Sequence, residues 1–305
     1  MNLGINSTKF TKVSEIKIPD IYFKRMSTGI VEFDEIFGKG ILPGSAATVT
    51  AQAGCGKTTL LLQMLESLNN NGYATGYASG EENTFQLAFT CKRLDVKNVS
   101  IANETDIDVL ADAMDDLDIL VIDSYQALTS SKKMNSSELE KYAVYTLGRK
   151  AKEPECALIY VMHLTKAGKL KGSTLVPHSV DVNIMISHDT DSDDDTARII
   201  STYKNRFGST CDIEATIGRK GFEMIGKKSK ERVLSKAGRK KKLHKGIMAM
   251  DPPTISEEGI MSKFNLTKGQ AYVALRELVS SGKLVKFGRG KTAVWKKTLT
   301  NIINA

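Results

Sequence analysis

The stretch Ala51–Leu62, Ala-Gln-Ala-Gly-Cys-Gly-Lys-Thr-Thr-Leu-Leu-Leu, constrains this chain more than any other. Ser45–Thr50 before it is short, apolar and rich in β-formers, and Leu60–Leu68 after it carries a helical apolar face. Strand, glycine-bearing loop, Lys-Thr and helix in that order form a phosphate-binding P-loop. Gly54 and Gly56 let backbone N–H groups curl around an anion, and the helix beginning near Lys57 points its positive end at the same place. Lys57 can reach β- and γ-phosphates, and the Thr58 hydroxyl can hold Mg²⁺. The expected nucleotide-binding set is Gly54, Cys55, Gly56, Lys57, Thr58 and Thr59, with ATP and Mg²⁺ as cofactors. At one point the motif GxxxxGK[ST] is not kept: Ala51 stands where the first glycine is usual.

Charge divides the chain unevenly. Residues 226–305 hold 19 of the 43 Lys/Arg but 5 of the 35 Asp/Glu, so a basic tail region follows a mildly acidic body. Such a tail suits a polyanion, most often nucleic acid. The length of 305 residues suits one ordinary domain plus a smaller one. No apolar run approaches the ~18 residues needed to span a bilayer, and the N-terminus lacks the layout of a signal peptide. Cys55, Cys91, Cys156 and Cys211 are far apart and form no CxxC pair. That argues against a disulfide framework or zinc site and fits a reducing cytoplasm.

Taken in order, residues 1–24 form a lead-in. Phe33–Phe37 is a short helical pattern, and Tyr73–Ser79 is a strand ending in Gly80-Glu81-Glu82. Asn83 can cap the helix that follows, and Asp106–Leu117 suits another. Asp118-Ile-Leu-Val-Ile-Asp123 is an apolar strand ending in an acid, about 65 residues after the P-loop. This is the Walker B pattern, in which a buried parallel strand delivers a carboxylate to its C-terminal end. Asp123 is expected to orient a water on Mg²⁺. Ser136–Lys152 reads as a helix capped by Ser136 or Ser137, and Ala157–Met162 as a buried strand ending at His163. Val182–Ser187, Arg198–Tyr203 and Asp212–Ile217 are further strands, with a hairpin to Met224. Alternating strands and helices imply an α/β fold with a mostly parallel, helix-covered sheet.

Residues 226–250 read as a basic linker. Beyond it, Ser256–Phe264 and Lys268–Ser281 are helical with Thr267 as N-cap, and Lys283–Phe287 with Lys291–Lys297 make a hairpin. Two helices followed by a hairpin is a winged-helix pattern over residues 251–305. Its second helix could enter a major groove, with Lys283, Lys286, Arg289 and Lys291 on phosphates. A protein partner is the other use of such a fold.

Several stretches together resemble the RadA/Sms branch of the RecA-like ATPases, over roughly residues 25–225. They are Ser27-Thr-Gly-Ile30, Phe33-Asp34, Pro43-Gly44-Ser45, Ser79-Gly-Glu-Glu82, Val121-Ile-Asp-Ser124, His163 with Thr165-Lys166 and, most distinctive, Lys204-Asn-Arg-Phe-Gly208. The resemblance implies a RecA-like core, ATP hydrolysis between subunits of a ring and movement on single-stranded DNA, similar to DnaB-type hexameric helicases. The four-cysteine zinc finger and Lon-like domain of bacterial RadA have no counterpart in the sequence.

Hydrolysis needs a water-positioning group near the γ-phosphate. Glu81 is the first candidate, read as following the strand beside the P-loop strand, and Glu82 the second. His163 could sense the γ-phosphate. Lys204 and Arg206 are expected to act in trans on a neighbouring subunit's ATP. The loop Lys166–His178 lies where RecA-like rings place a channel loop, with Lys166, Lys169 and Lys171 facing the phosphate backbone of DNA. The reading is an ATP-driven DNA helicase or translocase working as a homo-oligomeric ring in replication or recombination. The alternatives are a recombination mediator that binds single strands without robust unwinding, and a nucleotide-switched DNA-binding regulator.

Overall fold

The computed structural model describes residues 11–153, 155–164, 175–190, 192, 194–227, 243–250, 254–264, 266–288 and 293–298. The chain divides into two units, Met1–Lys228 and Ser229–Ala305.

The first unit runs α1 (Val31–Ile36), β1 (Ala46–Ala51), α2 (Lys57–Asn70), β2 (Thr75–Ser79), α3 (Thr84–Leu94), β3 (Ser100–Ala102), α4 (Ile107–Ala113), β4 (Ile119–Asp123), α5 (Ser136–Lys152), β5 (Ala157–His163), α6 (Leu175–Ser179), β6 (Val182–His188), β7 (Ala197–Asn205), β8 (Asp212–Gly218) and β9 (Gly221–Lys227). These strands form one nine-stranded sheet in the order β3-β2-β4-β5-β1-β6-β7-β8-β9. Pairing is parallel from β3 to β6 and antiparallel from β6 to β9.

The central strands β4 and β5 are buried along nearly their whole length. That is why they read as unbroken apolar runs and not as alternating ones. Leu61, Leu65 and Leu68 of α2 cover one face of the sheet with Val49, Val121 and Ile159. Leu110 of α4 and Ala143 and Leu147 of α5 cover the other with Leu120, Leu158 and Tyr160.

Two local details differ from the sequence expectation. The N-cap of α5 is Asn135 and not Ser136 or Ser137, because the Asn135 side chain accepts from the backbone N–H groups of Ser137 and Glu138. Glu138 returns a hydrogen bond to Asn135 N, closing a capping box that either serine would have to place one or two residues later. The strand beside β1 is β5 on one side and β6 on the other, so β2, which carries Glu81, lies two strands further out than expected.

Asp34 explains the opening signature. Its carboxylate accepts from Ser27 Oγ at 2.6 Å, Thr28 N at 2.8 Å and Thr28 Oγ1 at 2.8 Å. Its carbonyl accepts from Phe37, Lys39 and Gly40. One residue thus ties the segment entering the domain to the turn that leads into β1.

In the second unit, α7 (243–248) precedes β10 (Thr254–Ser256), α8 (Glu257–Phe264), α9 (Lys268–Ser280), β11 (Leu284–Phe287) and β12 (Val294–Lys297). The strands form an antiparallel sheet in the order β10-β12-β11. Ile247, Ile255, Ile260, Leu275, Leu278, Leu284 and Trp295 make a separate small core. Thr267 caps α9 through a box with Gln270, as its sequence position suggests. Helix α7 falls inside the stretch 226–250 expected to be linker. Its apolar contribution, Leu243 with Ile247 and Met248 one turn on, is hidden in sequence among lysines.

Asp34→Ala strands the buried Thr28 N–H, while the Thr28 hydroxyl keeps the Ile30 carbonyl as acceptor. It should lower unfolding free energy by about 1–3 kcal/mol, the usual scale for one unsatisfied buried donor. Urea denaturation of the full chain measures this.

Candidate nucleotide and magnesium site

The parallel register sets the site. Ala51 at the end of β1 pairs with His163 at the end of β5, and Ser79 at the end of β2 pairs with Asp123 at the end of β4. All four strand ends therefore open onto the same edge, the one from which open α/β sheets bind ligands.

The loop from β1 to α2 is built for an anion. Gly56 has φ 98° and precedes α2 without any side-chain cap, which leaves the first N–H groups of that helix for a ligand. A Cβ at Gly56 would come within 2.5 Å of Ile217 Cδ1 and 2.8 Å of Phe222. Gly54 has φ 79°, and a Cβ there would meet nothing within 4 Å, so the space above the loop is open. Ala51 in place of the usual first glycine has a simple reason. It is still in the strand, paired to β5 and β6, and does not have a positive φ. Cys55 and Thr59 are buried, and Cys55 N donates to Gln52 O at 3.3 Å. In this conformation their side chains face the protein.

Lys57 is almost fully buried, at 8% exposure. Burial pushes its ammonium below the usual lysine range, an effect opposed by the nearby Asp123, Cys55 and Glu81. Asp123 is also buried, and loss of water raises its carboxyl. The Tyr77 hydrogen bond opposes that rise, Glu81 adds to it, and Thr58 and Lys57 oppose it further. Thr58 Oγ1 donates to Asp123 Oδ2 at 3.2 Å, and the Tyr77 hydroxyl donates to the same oxygen. Asp123 Oδ1 is buried with no hydrogen-bond partner.

Glu81 hangs beyond β2. Its Oε1 accepts from Ser124 Oγ at 2.9 Å and lies 2.8 Å from His163 Nε2, a close contact not aligned as a hydrogen bond. Ser79 Oγ fixes the turn by accepting from Glu81 N at 3.2 Å and Glu82 N at 2.9 Å. Glu82 is raised by burial and by the charges of Asp123 and Glu81. Glu81, Asp123 and His163 each bring a ligand atom within 4.8 Å of the others. The orphaned Asp123 oxygen, the Thr58 hydroxyl, the buried ammonium and the uncapped helix start fit a Mg²⁺-bound nucleotide triphosphate. Tyr77, Ser79 and Ser124 were not singled out from sequence. Ser79 and Ser124 lie within quoted motifs, whereas Tyr77 reads only as one more core residue of a strand.

Lys204 and Arg206 are elsewhere. Lys204 Nζ donates to the carbonyls of Pro177, His178 and Val180, at 2.6–3.2 Å, and burial, then Arg206, lowers its pKa against the pull of Asp181. Arg206 pairs with Asp181 Oδ1 at 3.2 Å, and Asp181 Oδ2 accepts from Ala46 N, at the start of β1. Both cations thus lie at the far end of β1 from the P-loop, about 16 Å along the strand at ~3.3 Å per residue. The same motif is held by a close approach: a Cβ on Gly208 would lie 2.7 Å from Gly38 Cα. Lys283 and Lys286 are exposed in the second unit, with Lys286 Nζ 5.5 Å from the Trp295 ring centre. Lys166, Lys169, Lys171, Arg289 and Lys291 lie outside the described residues.

The burial penalty on Lys57 and its attraction to Asp123 and Glu81 oppose one another, so Lys57→Met should leave Tm little changed. It should also weaken ATP binding by about 10–100-fold, the scale of a lost hydrogen bond to a charged group. Melting and fluorescent-nucleotide titration together check this, since a purely structural lysine would lower Tm.

Comparison with known proteins agrees with this geometry. Residues 26–118 match the KaiC ATPase family. DNA repair protein RadA of Escherichia coli is 34% identical over 213 residues, 67% of this chain and 45% of that protein, so the match spans less than half of the relative. The ATPase domain of G40P superposes with TM-score 0.56 at 14% identity, covering 67% of this chain and 92% of that one. A DnaB-like replicative helicase, solved in a study of its interactions with primase, superposes with TM-score 0.57 at 14% identity, covering 65% and 61%. Among the described residues no helix is long and apolar enough to cross a membrane. Through its first unit the chain belongs to the RadA-type branch of the RecA-like P-loop ATPases.

Proposed function

We propose that this chain is an ATP-driven DNA translocase or helicase that hydrolyses Mg²⁺·ATP at the seams of a homo-oligomeric ring encircling single-stranded DNA. A hexamer is the ring this reading favours. The observation that carries it is the separation of parts. Glu81, Asp123, His163 and the P-loop share one edge of the sheet, while Lys204 and Arg206 lie at the opposite end of β1. Within one copy these two cations cannot reach the nucleotide. A neighbouring copy can bring them to it, and an arginine supplied in this way is worth roughly 10³–10⁵ in rate.

In this reading a bound Mg²⁺ would supply charge neutralisation to the phosphates. The Thr58 hydroxyl and Asp123 hold its shell, Lys57 and the α2 N–H groups hold the phosphates, and Glu81 orients the attacking water and takes its proton. His163, touching Glu81, reports loss of the γ-phosphate towards Lys166–His178, the segment proposed to track DNA. Action in trans asks Lys204 to leave three carbonyls and Arg206 to leave Asp181.

The second unit is proposed to be a winged helix that binds duplex DNA, joined by a basic linker. Its helix α9 exposes Lys268, Tyr272, Val273 and Arg276 on one face. A recombination-mediator role is the second reading, favoured because the higher sequence identity is to a DNA repair protein and not to a replicative helicase. ATP-dependent strand displacement on a forked duplex decides for the motor, and DNA-stimulated hydrolysis without displacement decides for the mediator.

The seam is tested by mixing. Glu81→Gln alone and Lys204→Ala/Arg206→Ala alone should each bind ATP but lose about 10²–10⁴ in turnover. Mixed together they should regain activity, because one copy then supplies an intact Glu81 and its neighbour an intact pair of cations. No recovery in demonstrated mixed oligomers refutes catalysis at the seam. Lys283→Ala/Lys286→Ala should weaken duplex binding and lower the slope of log K against log salt by about 2, close to one unit per lost phosphate contact.

A further inference from the structure

Tyr77 sits in the middle of β2 at 1% exposure, its ring in the core shared with Val121. In the β2–β4 register it faces Val121, and Asp123 is two residues further along the same face. That diagonal is within reach of an aromatic side chain, and the phenol donates to Asp123 Oδ2. Thr58 Oγ1 donates to the same oxygen, while Oδ1 is left without a partner. A phenylalanine would fill the same space without a hydroxyl that must be satisfied after burial. The hydroxyl's partners are the carboxylate and, beside it, the Thr58 hydroxyl.

We propose that Tyr77 is a positioning residue for the metal-bound nucleotide. Its O–H, together with that of Thr58, pins Oδ2, fixes the plane of the carboxylate and leaves Oδ1 as the oxygen presented to the hydrated Mg²⁺. A neutral donor suits this task. A lysine or arginine in the same place would neutralise Asp123 and compete with the cation, whereas a phenol orients the carboxylate and keeps its negative charge available. The two donors come from different elements, Thr58 from the helix that follows the P-loop and Tyr77 from β2, so the carboxylate is held from two sides. Partners that orient a metal ligand in this way typically contribute about 10–100-fold to metal affinity.

The proposal rests on the P-loop's being a Mg²⁺·ATP site, and the experiment separates the two. A fluorescent ATP analogue is titrated onto the full chain at increasing Mg²⁺ and, in parallel, in EDTA, for wild type, Tyr77→Phe, Asp123→Asn and the double variant. Tyr77→Phe should raise the half-saturating Mg²⁺ by about tenfold or more while leaving affinity in EDTA within about twofold. In the Asp123→Asn background, where a neutral amide replaces the charge, Tyr77→Phe should add nothing. That comparison stands even where Tyr77→Phe alone fails to fold. An unchanged Mg²⁺ requirement, a parallel loss of affinity in EDTA, or a further loss on top of Asp123→Asn overturns the positioning role. A wild-type chain that binds the analogue with no dependence on Mg²⁺ overturns the Mg²⁺·ATP reading itself.

Discussion

Asp123 is a carboxylate withdrawn from water at the end of a fully buried strand, within hydrogen-bonding reach of Thr58 and Tyr77 and close in charge to Lys57 and Glu81. Burial alone favours the neutral forms of both Asp123 and Lys57. Each opposes that tendency in the other, and the two hydroxyls assist the carboxylate. The cluster carries more acid than base, since Glu81 and Glu82 stand beside it. A bound Mg²⁺ would meet the carboxylates, and the phosphates would meet the ammonium and the helix start.

The rest of the first unit keeps this cluster in register. Parallel pairing from β2 through β4 and β5 to β1 puts four strand ends level, so that Ser79, Asp123, His163 and Ala51 are neighbours at one edge. The hydroxyls of Ser79 and Ser124 then fix Glu81, one through its backbone and the other through its carboxylate. At the opposite edge, Asp181 links the start of β1 to Arg206, and the contact of Gly38 with Gly208 seats the turn after β7. The distinctive Lys-Asn-Arg-Phe-Gly run is thus partly architecture. Gly208 permits close approach, Asn205 Oδ1 accepts from Phe207 N at 2.8 Å, and the Phe207 carbonyl accepts from Arg25.

Much of this was legible in sequence because the chemistry is local. A glycine loop between a β-rich run and an amphipathic run can do little else, and four apolar residues ending in an acid identify β4. Capping is local too, which is why Asn83 and Thr267 were readable. Asn135 was passed over for its serine neighbours, since the choice turns on which residue is the last non-helical one. Strand order was not readable: the spacing between elements does not say that β4 and β5 are inserted between β2 and β1. Nor was Tyr77, whose hydroxyl acquires a meaning only when β2 and β4 are set side by side. Helix α7 was not legible because its apolar residues, Leu243, Ile247 and Met248, are few and follow a run of lysines.

The placement of Lys204 bears on how a seam could be controlled. An ammonium that satisfies three carbonyls at the end of α6 is a substitute for the C-terminal cap that helix would otherwise need. Swinging it towards a neighbour's phosphate leaves those carbonyls to water, and a triphosphate can repay that loss, because its charge density far exceeds that of peptide oxygens. In the proposed ring, hydrolysis and phosphate release would weaken that attraction and make the carbonyls of Pro177, His178 and Val180 the better partner again. The same lysine would then bind at the seam in one nucleotide state and brace the end of α6 in the other, coupling the neighbour's chemistry to the segment that leads into β6.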